Sequence, residues 1–245
     1  MPPTIEILGV PFARLGRADA VDAIESLYER EAPAFIAFAN SHSLNLAAAN
    51  PSYKEVLRRA DLVLNDGKGV MIAAHIKGAR FPADLNGNAM SPLILERAAA
   101  RGWPVYFLGG RPGVAERAAK RLTNRLPALV VAGVSDGYFD PSDEGRVIGD
   151  IKRSEAGVLM VAFGNPVQEY WLDRKLASTG ARIGLGVGAF FDFQAGEVPR
   201  APDSLNRVGL EWAYRLAKEP RRLWRRYLLG HPLFLARVVR ESVYR

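Results

Sequence analysis

Short apolar runs alternate with amphipathic stretches along the first 195 residues. "AFIAFAN" (34–40), "DLVLND" (61–66), "PVYFLGG" (104–110), "ALVVAGV" (128–134), "AGVLMVAFG" (156–164) and "ARIGLGVGAF" (181–190) are apolar at successive positions and close on Gly, Asn or Asp. That pattern predicts strands buried on both faces. The segments between them read as helices. Residues 112–126 open with Pro and are rich in Ala and Arg, and 141–154 carry acids in the first turn and bases in the last. Residues 166–179 follow the same plan. Buried strands separated by helices predict an α/β fold: a Rossmann-like, mostly parallel sheet with helices on both faces.

The pattern changes after Gly196. No strand follows, and residues 204–220 and 220–230 read as two helices separated by Pro220, with a third after Pro232. We therefore expect an α/β core over 1–195 and a helical basic appendage over 196–245. Charge sharpens the division. The net charge is +7, yet residues 196–245 hold 11 Lys+Arg against 5 Asp+Glu, whereas the first 195 hold 22 against 21. A neutral body with a basic tail suggests an anionic partner for the tail, with a solvated basic helix as the plain alternative. On a helical wheel Arg221, Arg222, Arg225 and Arg226 oppose Leu223, Trp224, Tyr227 and Leu228, the layout of a helix in a membrane interface. Nucleic acid ranks last, because no nucleic-acid-binding signature accompanies the arginines.

Cysteine is absent, which excludes disulfides, thiolate metal sites and thiol chemistry. No signal peptide is evident, and the longest apolar stretch of the tail is too short to span a bilayer, so a cytoplasmic protein is expected. The three histidines are far apart and no Asp-x-Asp pair occurs, so no metal is expected. No organic cofactor is expected either.

In an open parallel sheet, ligands bind beyond the carboxyl ends of the strands, so the loops there hold the candidates. "LGGRPG" places Gly109 and Gly110 at a strand-to-helix turn, which suits either a phosphate or an ordinary tight turn. "VLNDGKGV" puts Asp66 and Gly67 at a strand tip, where Asp66 suits a general base or a helix cap. Gln168, in a first helical turn, offers a donor and an acceptor to a ligand, and Glu169 complements the helix dipole. Gly188 and Asp192 lie near the end of the last strand.

Taken together, "ANSHSLNLAAANPSYKEVLRRADLVLNDGKGV", "VYFLGGRPGVAERAAKRL", "VSDGYF", "AFGNPVQEYWL", "GVGAFFDFQAGEVPRAP" and "GLEWAYRLAKEPRRLWRRY" resemble, in order, the WecG/TagA/CpsF family of bacterial glycosyltransferases. The resemblance implies an inverting, metal-independent enzyme that moves a sugar from a UDP-sugar to a polyprenyl-diphosphate-linked acceptor. It would serve cell-surface polysaccharide synthesis as a peripheral protein on the inner face of the cytoplasmic membrane, and a homo-oligomer is compatible with it. Asp66 matches the family's proposed base, Asn40 the asparagine of T-x-N, and Gln168 and Glu169 its P-x-Q-E at the sugar-nucleotide site. Arg200 matches R-A-P. Arg215, Arg221, Arg222, Arg225 and Arg226 fall in the basic motif expected to meet the lipid diphosphate or the membrane. The sequence departs from the family at Phe38, Asp84 and Ala89, and Arg80 stands near the place of a missing arginine. Those departures keep a second reading open, a divergent non-catalytic protein that binds a nucleotide sugar or anionic lipid.

Overall fold

The computed structural model describes residues 2–198, 214, 216, 221 and 224–243. The chain opens with an antiparallel hairpin, β1 (Thr4–Ile7) and β2 (Val10–Ala13), turned through Leu8 and Gly9, both at positive φ. Helix α1 (Arg17–Tyr28) leads into six strands: β3 (Ala34–Ala39), β4 (Leu62–Asn65), β5 (Val105–Gly109), β6 (Val131–Ser135), β7 (Val158–Ala162) and β8 (Ile183–Gly186). They form one sheet in the order β4-β3-β8-β7-β5-β6, and every pairing is parallel. All residues of β3, β4, β5 and β8 are buried, as their unbroken apolar runs require when both faces are covered.

Helices α2 (Ser41–Ala49) and α3 (Pro51–Arg59) follow β3, and α4 (Lys68–Ile76) and α5 (Gly87–Arg101) follow β4. Helix α6 (Val114–Arg125) follows β5, and α7 (Glu144–Arg153) follows β6. Helix α8 (Val167–Thr179) follows β7, and α9 (Phe190–Ala195) follows β8. One face of the sheet packs against α1, α5, α6 and α9. The other packs against the hairpin, α2, α3, α4, α7 and α8. The chain thus leaves β3 toward one face and the neighbouring β8 toward the other. Loops that part in this way open a crevice at the carboxyl edge between them.

The α/β architecture follows the sequence pattern, with two local differences. The strand expected over 128–134 lies at Val131–Ser135. The segment 181–190 ends its strand at Gly186, turns through Gly188 at φ +55°, and starts α9, so Asp192 sits in the first turn of a short helix and not at a strand end.

Beyond residue 223 the tail forms one π-helical turn (Arg225–Leu229) that runs without a break into α10 (Gly230–Val243). Pro232 closely follows the π-turn inside this continuous helical run, and with no N–H it cannot donate to the preceding turn. A π-turn spaces side chains more widely than 3.6 per turn, so the wheel drawn at α-helical spacing does not hold across 225–229. Phe234 and Val238 of α10 are fully buried and join the core against α2 and α4. Polar latches fix the helix. Asn45 Nδ2 donates to the Gly230 carbonyl at 2.7 Å, and an Arg237 guanidinium N–H donates to Asn45 Oδ1 at 2.7 Å. Glu241 Oε2 pairs with Lys77 at 2.7 Å and accepts the Leu8 N–H at 3.1 Å. These partners are partly buried, so the pairs are screened less than surface bridges.

At the end of β5, Gly109 has φ +131°, and a Cβ there would lie 2.6 Å from the Ala162 carbonyl oxygen on the paired strand β7. Backbone cannot yield as a flexible side chain can. Gly109→Ala should lose roughly 2 kcal/mol or more in urea unfolding; a loss below ~0.5 kcal/mol, ordinary surface behaviour, would contradict this account of the β5–β7 contact.

Candidate active site

The carboxyl edge of the sheet opens into a cleft of ≈2000 Å³. Asn40, immediately after β3, and Asp66, immediately after β4, stand on its wall. Parallel pairing of β3 with β4 brings Ala39 opposite Asn65 and so sets the next residue of each strand side by side. Asn40 Nδ2 donates to Asp66 Oδ2 at 2.9 Å. The amide cannot flip at low cost, because its Oδ1 accepts the backbone N–H groups of His42 and Ser43 as the N-cap of α2. Asn40 therefore presents a fixed donor to a half-buried carboxylate. The N-cap position of α4 falls on Gly67, at φ +88°, and not on Asp66.

Asp84 and Ala89, two of the departures from the family pattern, serve the scaffold around Asp66. Asp84 Oδ1 accepts the N–H groups of Gly67 at 3.0 Å and Asn86 at 3.2 Å, tying the loop after β4 to the start of α5. The Ala89 N–H donates to Asn86 Oδ1 in the N-cap of α5. The third, Phe38, packs its ring beside Gly87.

Gly110 and Gly188 also line the cleft, and Asp192 reaches it from α9. Gly109 lies behind Gly110 at the strand end. Gln168 faces the cleft yet is only 2% exposed, and both ends of its amide are hydrogen-bonded. Its Oε1 accepts the Gly164 N–H at 3.1 Å and the Gly188 N–H at 3.0 Å, and its Nε2 donates to Glu169 at 2.8 Å. Glu169 lies beneath the cleft, completely buried, and receives further hydrogen bonds from Tyr53 and Asn165. Burial pushes its carboxyl up to about 7, against the opposing effect of the hydrogen bonds from Gln168, its own backbone amide, Tyr53 and Asn165. Its place is thus the floor of the site, not the solvent end of the helix dipole.

Arg80 is exposed, holds the Arg14 side chain through its carbonyl, and does not line the cleft. Arg200, Arg215 and Arg222 lie outside the described residues. Arg221 is exposed. Arg225 and Arg226 line the cleft, joined by Leu229, His231, Leu233 and Arg237 from the same tail. The tail is therefore a wall of the cleft that holds Asp66. His231 Nδ1 lies 3.3 Å from Ser41 Oγ, and a Cβ on Gly69 would lie 3.4 Å from that nitrogen. Burial, and secondarily the charge of Arg226, lowers His42 to about 4 and lowers His231 in the same direction. His42 is therefore a neutral imidazole at neutral pH.

Sequence reasoning missed three other cations on the cleft: Arg17 at the start of α1, Lys68 at the start of α4, and Arg111 after Gly110. Lys68 and Arg111 each follow a glycine of the singled-out loops, which is the signal that could have found them. The cleft also carries exposed Tyr138 and half-buried Phe139 after β6. Among the described residues no three His, Cys, Asp or Glu side chains converge as a metal site.

This geometry suits a group transfer with a central carboxylate and cations on the walls. The sequence matches the model of the glycosyl transferase WecG/TagA/CpsF family over residues 5–245. The chain belongs to that family. It is a glycosyltransferase. Among similar curated proteins is an N-acetylglucosaminyldiphosphoundecaprenol N-acetyl-beta-D-mannosaminyltransferase of Bacillus spizizenii. It is 32% identical over 223 residues, covering 91% of this chain and 85% of that protein. A protein of the same name from Bacillus subtilis is 27% identical over 240 residues, covering 98% and 92%. The match spans the transferase body and the tail alike.

The buried carboxyl of this glycosyltransferase gives a pH test. Folding raises Glu169 from an ordinary 4.5 to about 7, so the folded state binds the proton more tightly than the unfolded chain. Its contribution to stability is therefore fully present below about 4.5 and is lost as pH rises through about 7. Urea unfolding of the wild type should weaken across that window, and Glu169→Gln should lack that component. An identical pH dependence in both proteins would contradict the assignment.

Proposed function

We propose that the protein transfers a sugar from a UDP-sugar to a polyprenyl-diphosphate-linked acceptor, with inversion and without a bound metal, in cell-surface polysaccharide synthesis. The observation that carries this reading is the hydrogen-bonded Asn40–Asp66 pair in a cleft that the arginine-bearing tail also lines. The names of the two Bacillus relatives support the acceptor class, since both describe transfer to a diphosphoundecaprenol-linked N-acetylglucosamine.

The residues divide the work as follows. Asp66 takes the proton of the acceptor hydroxyl as its oxygen attacks the anomeric carbon. The bond from that carbon to the diphosphate breaks on the opposite side, and its electron pair leaves with UDP. Asn40 donates to Asp66 Oδ2 and holds that carboxylate in place. The departing diphosphate gathers negative charge, which Lys68, Arg111 and the α6 turn after Gly110 are placed to stabilise in the cleft. In this reading the cationic lining neutralises the charge of the departing diphosphate in place of a metal. Arg225, Arg226 and Arg237 of the tail face the acceptor's own diphosphate.

The tail also suits the inner face of the cytoplasmic membrane. Trp224, Leu228, Leu229 and Leu233 are all more than 40% exposed beside these arginines, and Arg225 stacks over the Trp224 ring at 5.3 Å. Exposed apolar side chains next to cations are what a peripheral, interface-seated segment presents. No helix of the described residues is long and apolar enough to cross a membrane.

Two experiments follow. Asp66→Asn should cut turnover by about 10²–10⁴, the worth of a positioned general base, and leave UDP affinity unchanged in the EDTA-containing buffer that supports the wild type. Wild-type turnover by the variant would overturn the base, and a requirement for added magnesium would overturn the metal-free chemistry. Arg225→Ala/Arg226→Ala should raise KM at least about tenfold for a short-chain, water-soluble diphosphate acceptor, as loss of a charge-assisted contact predicts. An unchanged KM with weakened vesicle binding would assign both arginines to bulk lipid instead.

A further inference from the structure

Glu169 makes no wall of the cleft, yet two hydrogen-bond chains meet on it. Three donors converge on its carboxylate: the Tyr53 hydroxyl at 3.2 Å, Asn165 Nδ2 at 2.6 Å and Gln168 Nε2 at 2.8 Å. One chain runs through Gln168 to the N–H groups of Gly164 and Gly188, in the loops that follow β7 and β8. The other ends at the Tyr53 hydroxyl on α3, which donates to the second carboxylate oxygen.

A glutamine amide has two ends of nearly the same shape, one a donor and one an acceptor, so its partners decide which way it points. The Gly164 and Gly188 amides need the oxygen end of Gln168. The nitrogen end then needs an acceptor, and a carboxylate is the one side chain of this size that only accepts. Gly186 leaves room for that amide, since a Cβ there would lie 2.7 Å from Gln168 Nε2. Asn165 and Gln168 both donate to Glu169 Oε1, so an apolar side chain at 169 would leave the nitrogen end of Gln168 without its acceptor.

We propose that Glu169 is a positioning residue for the transfer reaction: its carboxylate oxygen Oε1, as acceptor, fixes the direction of the Gln168 amide and, through it, the spacing of the loops after β7 and β8. The proposal rests on the reading that the donor nucleotide occupies this cleft, whose floor those loops form. Glu169 itself touches no substrate. The titratable group facing it is Tyr53 on α3, whose own ionisation is suppressed first by burial and then by the Glu169 charge. The other contacts, Asn165 and Gln168, carry no charge. Pushed up to about 7, Glu169 can carry a proton on the oxygen that faces Tyr53 while Oε1 still accepts from Gln168.

The test uses the full chain and two readouts: protection factors of the Gly164 and Gly188 amides by NMR hydrogen exchange, and UDP affinity by calorimetry. In Glu169→Leu both protection factors should fall and UDP binding should weaken, each roughly tenfold, the scale of one displaced buried hydrogen bond. Glu169→Gln, whose amide oxygen can take the place of Oε1, should keep both within about threefold of wild type. A merely structural residue would lower the unfolding midpoint without that split. Tyr53→Phe, which leaves the Gln168 clasp in place, should keep both glycines within about twofold of wild type, as a substitution outside the clasp should. Wild-type protection and affinity in Glu169→Leu, or equal loss in Tyr53→Phe, would overturn the proposal. Should Glu169→Leu not fold, Glu169→Gln decides the point, a loss of protection at the two glycines there overturning it. Failure of the wild type to bind UDP would count against the function assigned to the cleft, and the amide protection would still judge Glu169.

Discussion

Six strands hydrogen-bonded in parallel send all their carboxyl ends to one edge of the sheet. Every property of the site descends from that constraint. Parallel pairing puts Asn40 beside Asp66, because the last residues of β3 and β4 stand opposite each other and the next residue on each is polar. It also demands crossover helices on both faces, and these start with their N-termini at the same edge. The cleft is thus a place where helix dipoles, glycine turns and strand-end polar groups converge without any long loop to arrange them.

The tail uses the same edge from outside. Helix α10 buries Phe234 and Val238 against α2 and α4, the two helices that start beside Asn40 and Asp66. Docking there places Arg225, Arg226 and Arg237 on the cleft wall while Trp224, Leu228 and Leu233 stay exposed. One short segment therefore carries both the apolar contact with the body and cations on the cleft wall. Under the proposed function, it would present a lipid-linked diphosphate to Asp66 with the lipid still in the membrane.

Much of this was legible in the chain. Fully apolar runs such as 34–40 and 104–110 name buried parallel strands, because no other element of that length buries both sides. A carboxylate followed by Gly-Lys-Gly at a strand tip marks Asp66 as a base or a helix cap alike, and the order of the strands that sets Asn40 beside it is not written in any one segment. The N-terminal hairpin was not visible as such, since the stretch "TIEILGVPFA" is short and its turn rests on the uncommon positive φ of Leu8. Lys68 and Arg111 are isolated cations, and nothing in the sequence around them separates a cleft charge from a solvated one. A place in a first helical turn suggests a ligand contact for Gln168 and a dipole partner for Glu169, because polar side chains there normally face water. Their burial depends on Tyr53, more than a hundred residues away. The π-turn at 225–229 has no periodic signature, and it removed the clean two-faced wheel drawn for that segment.

The central claim is that a lipid-type diphosphate acceptor and a UDP-sugar meet at Asp66. The most direct measurement is release of UDP from a panel of UDP-sugars, with and without a short-chain polyprenyl-diphosphate N-acetylglucosamine. The account predicts sustained release from one donor only when that acceptor is present, with the sugar recovered on the lipid-linked product. Tight UDP binding with no acceptor-dependent release from any donor would contradict it and leave the cleft a binding site without transfer.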